Sequence, residues 1–273
     1  MADTLRKIDE GLAEVLDFIG VEIRRRVREL DGLHSLRVRE DGDVTHDFDR
    51  FSESRILQFF ESCNLGARFD SEESAPIDLG RDQDFTIIVD PLDGSSMLAR
   101  GYPLASIAVS VIHREGGRPI LSRILDVFTD VQYSVIGDIA TRNGRKASPS
   151  TVTDLSRAFL VTYSATSERL RSDTFRRICE TPPGLTLNYG GPLDIAKVGA
   201  GQCDLMLELQ KGFSPRDYVA GLHFAQVAGA IAMQPGGAPV PYTSEEGRRV
   251  KFIVAANEHL LYSAIQDFGG DSA

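Results

Sequence analysis

Phe85-Thr86-Ile87-Ile88-Val89-Asp90-Pro91-Leu92-Asp93-Gly94-Ser95-Ser96 opens as a β-branched and aromatic run and closes as a polar turn. Its first five residues read as a buried strand, and so does Ile107-Ala108-Val109-Ser110-Val111-Ile112 downstream. Asp90 and Asp93 stand three residues apart at the strand's end with Pro91 between them, and a rigid turn would point both carboxylates into one space. Such crowding is costly without a cation. Gly94 permits close backbone approach, and Ser95 and Ser96 are residue types that cap helix N-termini, so amides at a helix start would meet an anion just past the acids. The segment fits a metal and a phosphate sharing one pocket; it also fits an ordinary Asp/Gly/Ser turn after a strand.

The elements around it alternate in type. Leu5, Ile8, Leu12, Val15, Leu16, Ile19 and Ile23 recur mostly at steps of three and four, which predicts an amphipathic helix; Phe51, Ile56, Leu57 and Phe60 predict a second, running to Cys63. Arg24-Arg25-Arg26 with Arg28, at the end of the first, reads as a solvated face that compensates the helix dipole. Residues 120–126 and 131–135 add two strands, with Gly137 and Asn143-Gly144 marking turns. A Ser- and Thr-rich stretch over 146–154 is the expected seam between an N-terminal half, 1–150, and a C-terminal half, 151–273. Beyond it, strands are expected at 159–162, 205–209 and 252–256, and helices at 168–178, 193–199, 214–233 and 258–268. Interleaved strands and helices without an internal repeat are the pattern of a layered α/β protein.

The 273 residues, 42% hydrophobic and 26% charged, suffice for one or two folded domains and are unlike a disordered or collagen-type chain. Thirty Lys and Arg against forty Asp and Glu leave a net charge of -10, which argues against a nonspecific grip on nucleic acid and permits a divalent cation as partner. Cys63, Cys179 and Cys203 have no paired spacing for a disulfide framework or zinc cluster, and fit a reducing compartment. No basic-then-apolar leader opens the sequence, and no apolar run approaches the ~18 residues of a membrane span. The expectation is a cytoplasmic protein with neither membrane nor nucleic acid as partner.

Other acids invite attention. Glu72-Glu73 lies in a polar loop upstream of the central segment. Asp217 closes Ser214-Pro215-Arg216-Asp217, which satisfies the rule for a helix start: Ser at the N-cap, Pro at the first helical position, an acid at the third. Asp49 and Glu53 are spaced i,i+4 on one face of the second helix. Taken singly, solvation or capping accounts for each. His46, His113 and His223 have no partner spacing that makes them bases.

Taken together, these segments resemble the inositol monophosphatase/fructose-1,6-bisphosphatase superfamily of metal-dependent, lithium-sensitive sugar phosphatases, over most of the chain. Asp90-Pro91-Leu92-Asp93-Gly94-Ser95-Ser96 is of that family's DPxDG[ST] type, and Ser71-Glu72-Glu73-Ser74 is similar to its GEES loop. Asp217-Tyr218-Val219-Ala220-Gly221 followed by Pro235-Gly236-Gly237 resembles its WDxAAG and GG element, and Gly191-Pro192-Leu193-Asp194-Ile195 through to Asp204 the stretch before it. The resemblance implies an α/β fold, a five-layer αβαβα sandwich, assembled as a homodimer. It implies that Glu72, Asp90, Asp93 and Asp217 bind Mg²⁺, two or three ions per site with Mn²⁺ as a substitute, the Leu92 backbone carbonyl completing the first site. Ser95, where many relatives have Thr, would work with Asp49 to orient and activate the attacking water, Asp47 being the alternative helper, while Gly94, Ser95 and Ser96 hold the phosphate. Mg²⁺ prefers hard oxygen ligands and is commonly held by a few carboxylates plus substrate phosphate, which agrees with this inventory. Ser71 stands where the family usually has Gly, Arg216 where it has Trp, and Met97-Leu98 where it has Asn-Phe or similar; none of these removes a ligand.

For the nonreacting part of the substrate, the resemblance offers Tyr189, Gly190, Gly191, Glu208 and Arg216, with Arg171, Arg176 and Lys197 as candidate contacts to a second phosphate; structural roles are the alternative for each. The spacing from Glu208 through Lys211 to Asp217 is similar to archaeal-type enzymes acting on both fructose 1,6-bisphosphate and inositol phosphates, and the Ser95-Ser96 pair leans towards bisphosphatases. The expected function is hydrolysis of a small phosphorylated metabolite by metal-activated water. The alternatives are a 3′-phosphoadenosine 5′-phosphate phosphatase and a catalytically retired binding or regulatory relative.

Overall fold

A computed structural model describes residues 2–29, 36–38, 44–163, 173–181, 184–188, 191–242 and 248–269. The chain divides into two compact units, Met1–Asp138 and Ile139–Ala273. The first unit runs α1 (Ala2–Arg28), β1 (Leu36–Val38), β2 (Val44–His46), α2 (Asp47–Ser62), β3 (Ala67–Ser71), β4 (Ile77–Leu79), β5 (Phe85–Asp93), α3 (Ser95–Leu98), β6 (Ser106–His113), β7 (Arg118–Asp126) and β8 (Val131–Ile136). β1 and β2 form an antiparallel pair, and the later strands lie in the order β8-β7-β6-β5-β3-β4. Only β3 and β5 are parallel neighbours in that series.

The apolar stripe of α1 goes where its spacing predicts. Ile8, Leu12, Leu16, Ile19 and Ile23 are buried with Phe48, Ile56 and Phe60 of α2 against Phe69, Ile87, Val89 and Leu125 of the sheet. Each such side chain contributes about 1.5–3 kcal/mol on burial, which fixes both helices to one sheet face. The outer face is charged: Arg25 and Arg26 donate to Glu22 and hold its carboxyl down at about 2. Of the described acids of α1, Asp9 lies on the inner side. Asp9, 6% exposed, accepts a two-pronged contact from Arg123 of β7 at 3.0 and 2.5 Å, and Ser134 of β8 donates to it at 3.0 Å.

The turn expected directly after Asp90 is a bulge within β5. Asp90 pairs with Ala108 and Asp93 with Ser106, so Pro91 and Leu92 together oppose Ile107. Pro91, lacking an N–H, is tolerated at such a break in the ladder. The chain turns only at Gly94, with φ 84°.

The second unit runs β9 (Ile139–Arg142), β10 (Arg145–Lys146), a single 3-10 turn (Leu155–Arg157), β11 (Phe159–Tyr163), α4 (Asp173–Glu180), β12 (Gly184–Asn188), α5 (Pro192–Gly199), β13 (Leu205–Phe213), α6 (Pro215–Ala228), β14 (Ile231–Met233), β15 (Val250–Ala255) and α7 (Glu258–Phe268). Its five-stranded sheet has the order β12-β11-β13-β15-β14, parallel across the first three strands and antiparallel thereafter. The helix expected over 168–178 is described from Asp173 onward, as α4. The single helix expected over 214–233 is two elements. Gly229 takes φ 112° and donates back to the Ala225 and Gln226 carbonyls, which ends α6, and β14 then pairs with β15. Apolar content carries on across Gly229 because a buried strand is as apolar as a buried helix. No helix among the described residues is long and apolar enough to cross a membrane.

Candidate active site

Ser71, the last residue of β3, pairs with Val89 of the parallel strand β5. Glu72 and Asp90 therefore follow at one level on adjacent strands, Asp90 only 2% exposed and Glu72 half-buried. Asp217 is the third residue of α6, in a capping box: the Ser214 hydroxyl accepts from the Asp217 amide, and Asp217 Oδ2 accepts from the Ser214 amide at 3.0 Å. Glu72, Asp90 and Asp217 each offer a carboxylate oxygen, and these oxygens lie within 4.8 Å of one another. No other group of three or more His, Cys, Asp or Glu side chains is gathered so closely among the described residues. Burial pushes the Asp217 carboxyl above its usual range, opposed by its contacts with Ser214 and by the charges of Arg249 and Arg216. The donor set is all hard oxygen, without imidazole or thiolate, which is consistent with a site for a hard divalent cation.

The other residues expected at the site in the first unit take distinct positions of their own. Asp49 is 3% exposed on the inner face of α2, whereas Asp47, the alternative helper, is exposed. Asp93 lies outside the triad and accepts from Ser106 Oγ at 3.1 Å; Leu92, 2% exposed, occupies the bulge. Ser95 and Ser96 are not N-caps. Gly94 holds the cap of α3 in a left-handed conformation, and the Met97 and Leu98 amides donate to its carbonyl at 2.9 and 3.0 Å. A Cβ at position 94 would lie 2.6 Å from the Leu104 carbonyl oxygen, so only glycine fits.

In the second unit, Gly191 is the N-cap of α5, and a Cβ there would lie 2.3 Å from the Asp217 carbonyl oxygen, so close packing already requires glycine. Glu208 is fully buried on β13, where Oε1 accepts from the Gln210 and Gly212 amides at 2.8 and 3.1 Å and ties down the irregular stretch before Phe213. Arg216 is half-exposed. Lys197 pairs with Asp194 at 3.2 Å and Arg176 with Asp173 at 3.1 Å. Tyr189, Gly190 and Arg171 lie outside the described residues. Arg248 and Arg249, which the sequence analysis did not single out, precede β15, where Val250 pairs with Phe213 just ahead of α6.

The sequence model of the inositol monophosphatase family matches residues 3–268. The chain belongs to this family. Its relatives include a fructose-1,6-bisphosphatase of Pyrococcus furiosus, 27% identical over 232 residues, 85% of this chain and 86% of that one. A fructose-1,6-bisphosphatase/inositol-1-monophosphatase of Methanothermobacter thermautotrophicus is 24% identical over 260 residues, 90% of this chain and 92% of its own length. Among solved structures, the extragenic suppressor protein suhB of Bartonella henselae superposes with a TM-score of 0.83 at 22% identity, covering 96% of this chain and 98% of that one. The layered α/β fold of the family is thus shared. Membership sets the chain among the metal-dependent phosphatases of the inositol monophosphatase/fructose-1,6-bisphosphatase superfamily, and the acidic triad is consistent with their need for metal.

Proposed function

We propose that this chain is a Mg²⁺-dependent phosphomonoesterase that hydrolyses a small phosphorylated metabolite, such as inositol 1-phosphate or fructose 1,6-bisphosphate, with water as the nucleophile. The triad carries the reading: three carboxylate oxygens within 4.8 Å repel one another and any phosphate monoester until divalent cations neutralise them. Relatives named for fructose bisphosphatase and inositol monophosphatase activities support the substrate class.

In this reading Glu72, Asp90, Asp93, Asp217 and the Leu92 carbonyl hold the ions. Bound divalent ions supply a lowered pKa for the attacking water and charge neutralisation at the leaving oxygen during in-line displacement. Asp49, buried on α2, and the Ser95 hydroxyl orient that water and take its proton, so Ser95 is a relay and forms no covalent intermediate. Gly94 admits the phosphate to the backbone, where the Ser95 and Ser96 amides precede the first intrahelical donors, Met97 and Leu98. Gly191, Glu208 and Arg216, with Tyr189 and Gly190, hold the nonreacting part. Residues 1–150 then carry most metal ligands and 151–273 the substrate contacts and the last ligand, in a cytoplasmic homodimer acting on neither nucleic acid nor membrane.

Phosphate release from inositol 1-phosphate, fructose 1,6-bisphosphate and 3′-phosphoadenosine 5′-phosphate tests this. Turnover should require Mg²⁺, fall with Li⁺ and collapse in Asp93→Asn; inactivity across the panel would leave only a binding or regulatory role.

A further inference from the structure

Ser74 Oγ donates to Glu53 Oε1 at 2.8 Å, joining the loop after β3 to α2 across 21 residues of sequence. Both side chains are half-buried, and a hydroxyl donating to a carboxylate oxygen makes a stronger bond than one between neutral groups. Asp49 lies one helical turn before Glu53, where side chains spaced i,i+4 share a face, and Glu72 lies two residues before Ser74. The backbone on either side of the contact is seated in the protein: Ser52, next to Glu53, and Ser71, next to Glu72, are both fully buried.

Towards its other end α2 is tied to β3 by Phe60 and Phe69, ring centroids 6.5 Å apart. The helix therefore runs back along the strand, with an apolar tie farther from Asp49 and Glu72 and a polar one beside them. Apolar contact is non-directional, whereas a hydroxyl on a carboxylate oxygen is satisfied only near one length and angle. The polar tie is thus the one that can fix a spacing between Asp49 on the helix and Glu72 at the strand's end.

We infer that Glu53 and Ser74 are positioning residues, a strut that sets the distance between Asp49 and Glu72 and so aligns the attacking water with the ion beside it. The inference rests on the phosphatase reading, in which Asp49 orients the water and Glu72 holds an ion.

The test uses the full chain and measures kcat, KM and the Mg²⁺ dependence of Tm, with fructose 1,6-bisphosphate and inositol 1-phosphate as substrates. The proteins compared are wild type, Ser74→Ala, Glu53→Ala, the double variant and Glu53→Gln. Each alanine variant should lose kcat about tenfold to a hundredfold with KM little changed, since an error of about 1 Å between reacting groups has that effect. The double variant should lose no more than the worse single variant, because both changes break one contact. Glu53→Gln keeps an oxygen for the Ser74 hydroxyl and should recover most of kcat. The rise in Tm with Mg²⁺ should need about tenfold more ion in Ser74→Ala, whose Glu72 is no longer held in register. Wild-type kcat with an unchanged Mg²⁺ titration in Ser74→Ala overturns the strut, and so do losses that multiply in the double variant. Should wild type hydrolyse neither ester, the phosphatase reading fails, and the Mg²⁺ titration still decides the strut's hold on Glu72.

Discussion

Glu72 and Asp90 stand level on neighbouring parallel strands because the residues before them, Ser71 and Val89, are paired. The sheet register itself therefore brings two like charges together, and Asp90 is nearly sealed from water. Folding assembles this repulsion in advance of any ion, a cost the rest of the first unit must offset.

Neutralising Asp90 should accordingly stabilise the metal-free protein while abolishing its response to metal. Asp90→Asn is expected to raise Tm in EDTA by about 2–4 °C, near 1 kcal/mol, and to remove the rise in Tm on adding Mg²⁺. A thermal scan of both proteins with and without Mg²⁺ checks this; a variant that still gains as much as wild type would count against the site.

Asp217 predicts a pH dependence. Burial raises its carboxyl in the folded chain, so the favourable contribution is complete below the ordinary carboxyl pKa of about 4 and is lost as pH rises through the raised value. In EDTA, urea midpoints of wild type relative to Asp217→Asn should fall from pH 4 towards neutrality, and Mg²⁺ should reverse the trend. A difference that is flat with pH would contradict it.

The buried Asp9–Arg123 pair should behave asymmetrically. Each side chain is about 9% exposed, so Arg123→Met strands a carboxylate with Ser134 as its remaining side-chain donor among the described residues and is expected to cost about 3–5 kcal/mol. Asp9→Leu combined with Arg123→Met should recover most of that loss. Urea denaturation of the two single variants and the double variant closes the cycle.

The three thiols should react with a disulfide reagent in the order of their exposure. Cys179 is exposed, Cys63 is half-buried with its pKa raised by burial, and Cys203 is 3% exposed with its thiol pushed far up by burial and then by Asp194. At pH 8 the native protein should label fast at Cys179, slowly at Cys63 and only on unfolding at Cys203. Mass spectrometry of the labelled chain reads the order.

Gly94→Ala should disable the turn that carries Ser95. Its Cβ would meet the Leu104 carbonyl at 2.6 Å with φ at 84°, so a loss of at least about 1–3 kcal/mol and of phosphatase activity is expected. Retained activity at wild-type stability would show that this backbone turn is dispensable.

Legibility in the sequence followed physical redundancy. β5, β6, β7 and β8 were readable because β-branched runs between turn residues leave few other solutions, and the start of α6 because Ser214, Pro215 and Asp217 each point to the same cap. β3 was hidden: Ala67-Arg68-Phe69-Asp70-Ser71 alternates, but only Phe69 is large and apolar, and the burial of Asp70 and Ser71 comes from tertiary neighbours. The bulge at Pro91 and Leu92 was hidden because a proline after a strand normally reads as its end. The gathering of Glu72 with Asp90 depends on register between strands, which no local pattern encodes.

The capping box leaves Asp217 with a divided carboxylate. Oδ2 is committed to the Ser214 amide, which locks the side chain's rotation while the helix forms. On the proposed reading, an ion held by Asp217 would meet one stationary oxygen and no pincer. Small ions with a strict octahedral shell tolerate such a single handhold, whereas Ca²⁺ gathers more oxygens and often clasps both arms of an acid. The same capping box that begins a helix would in this way act as a size filter.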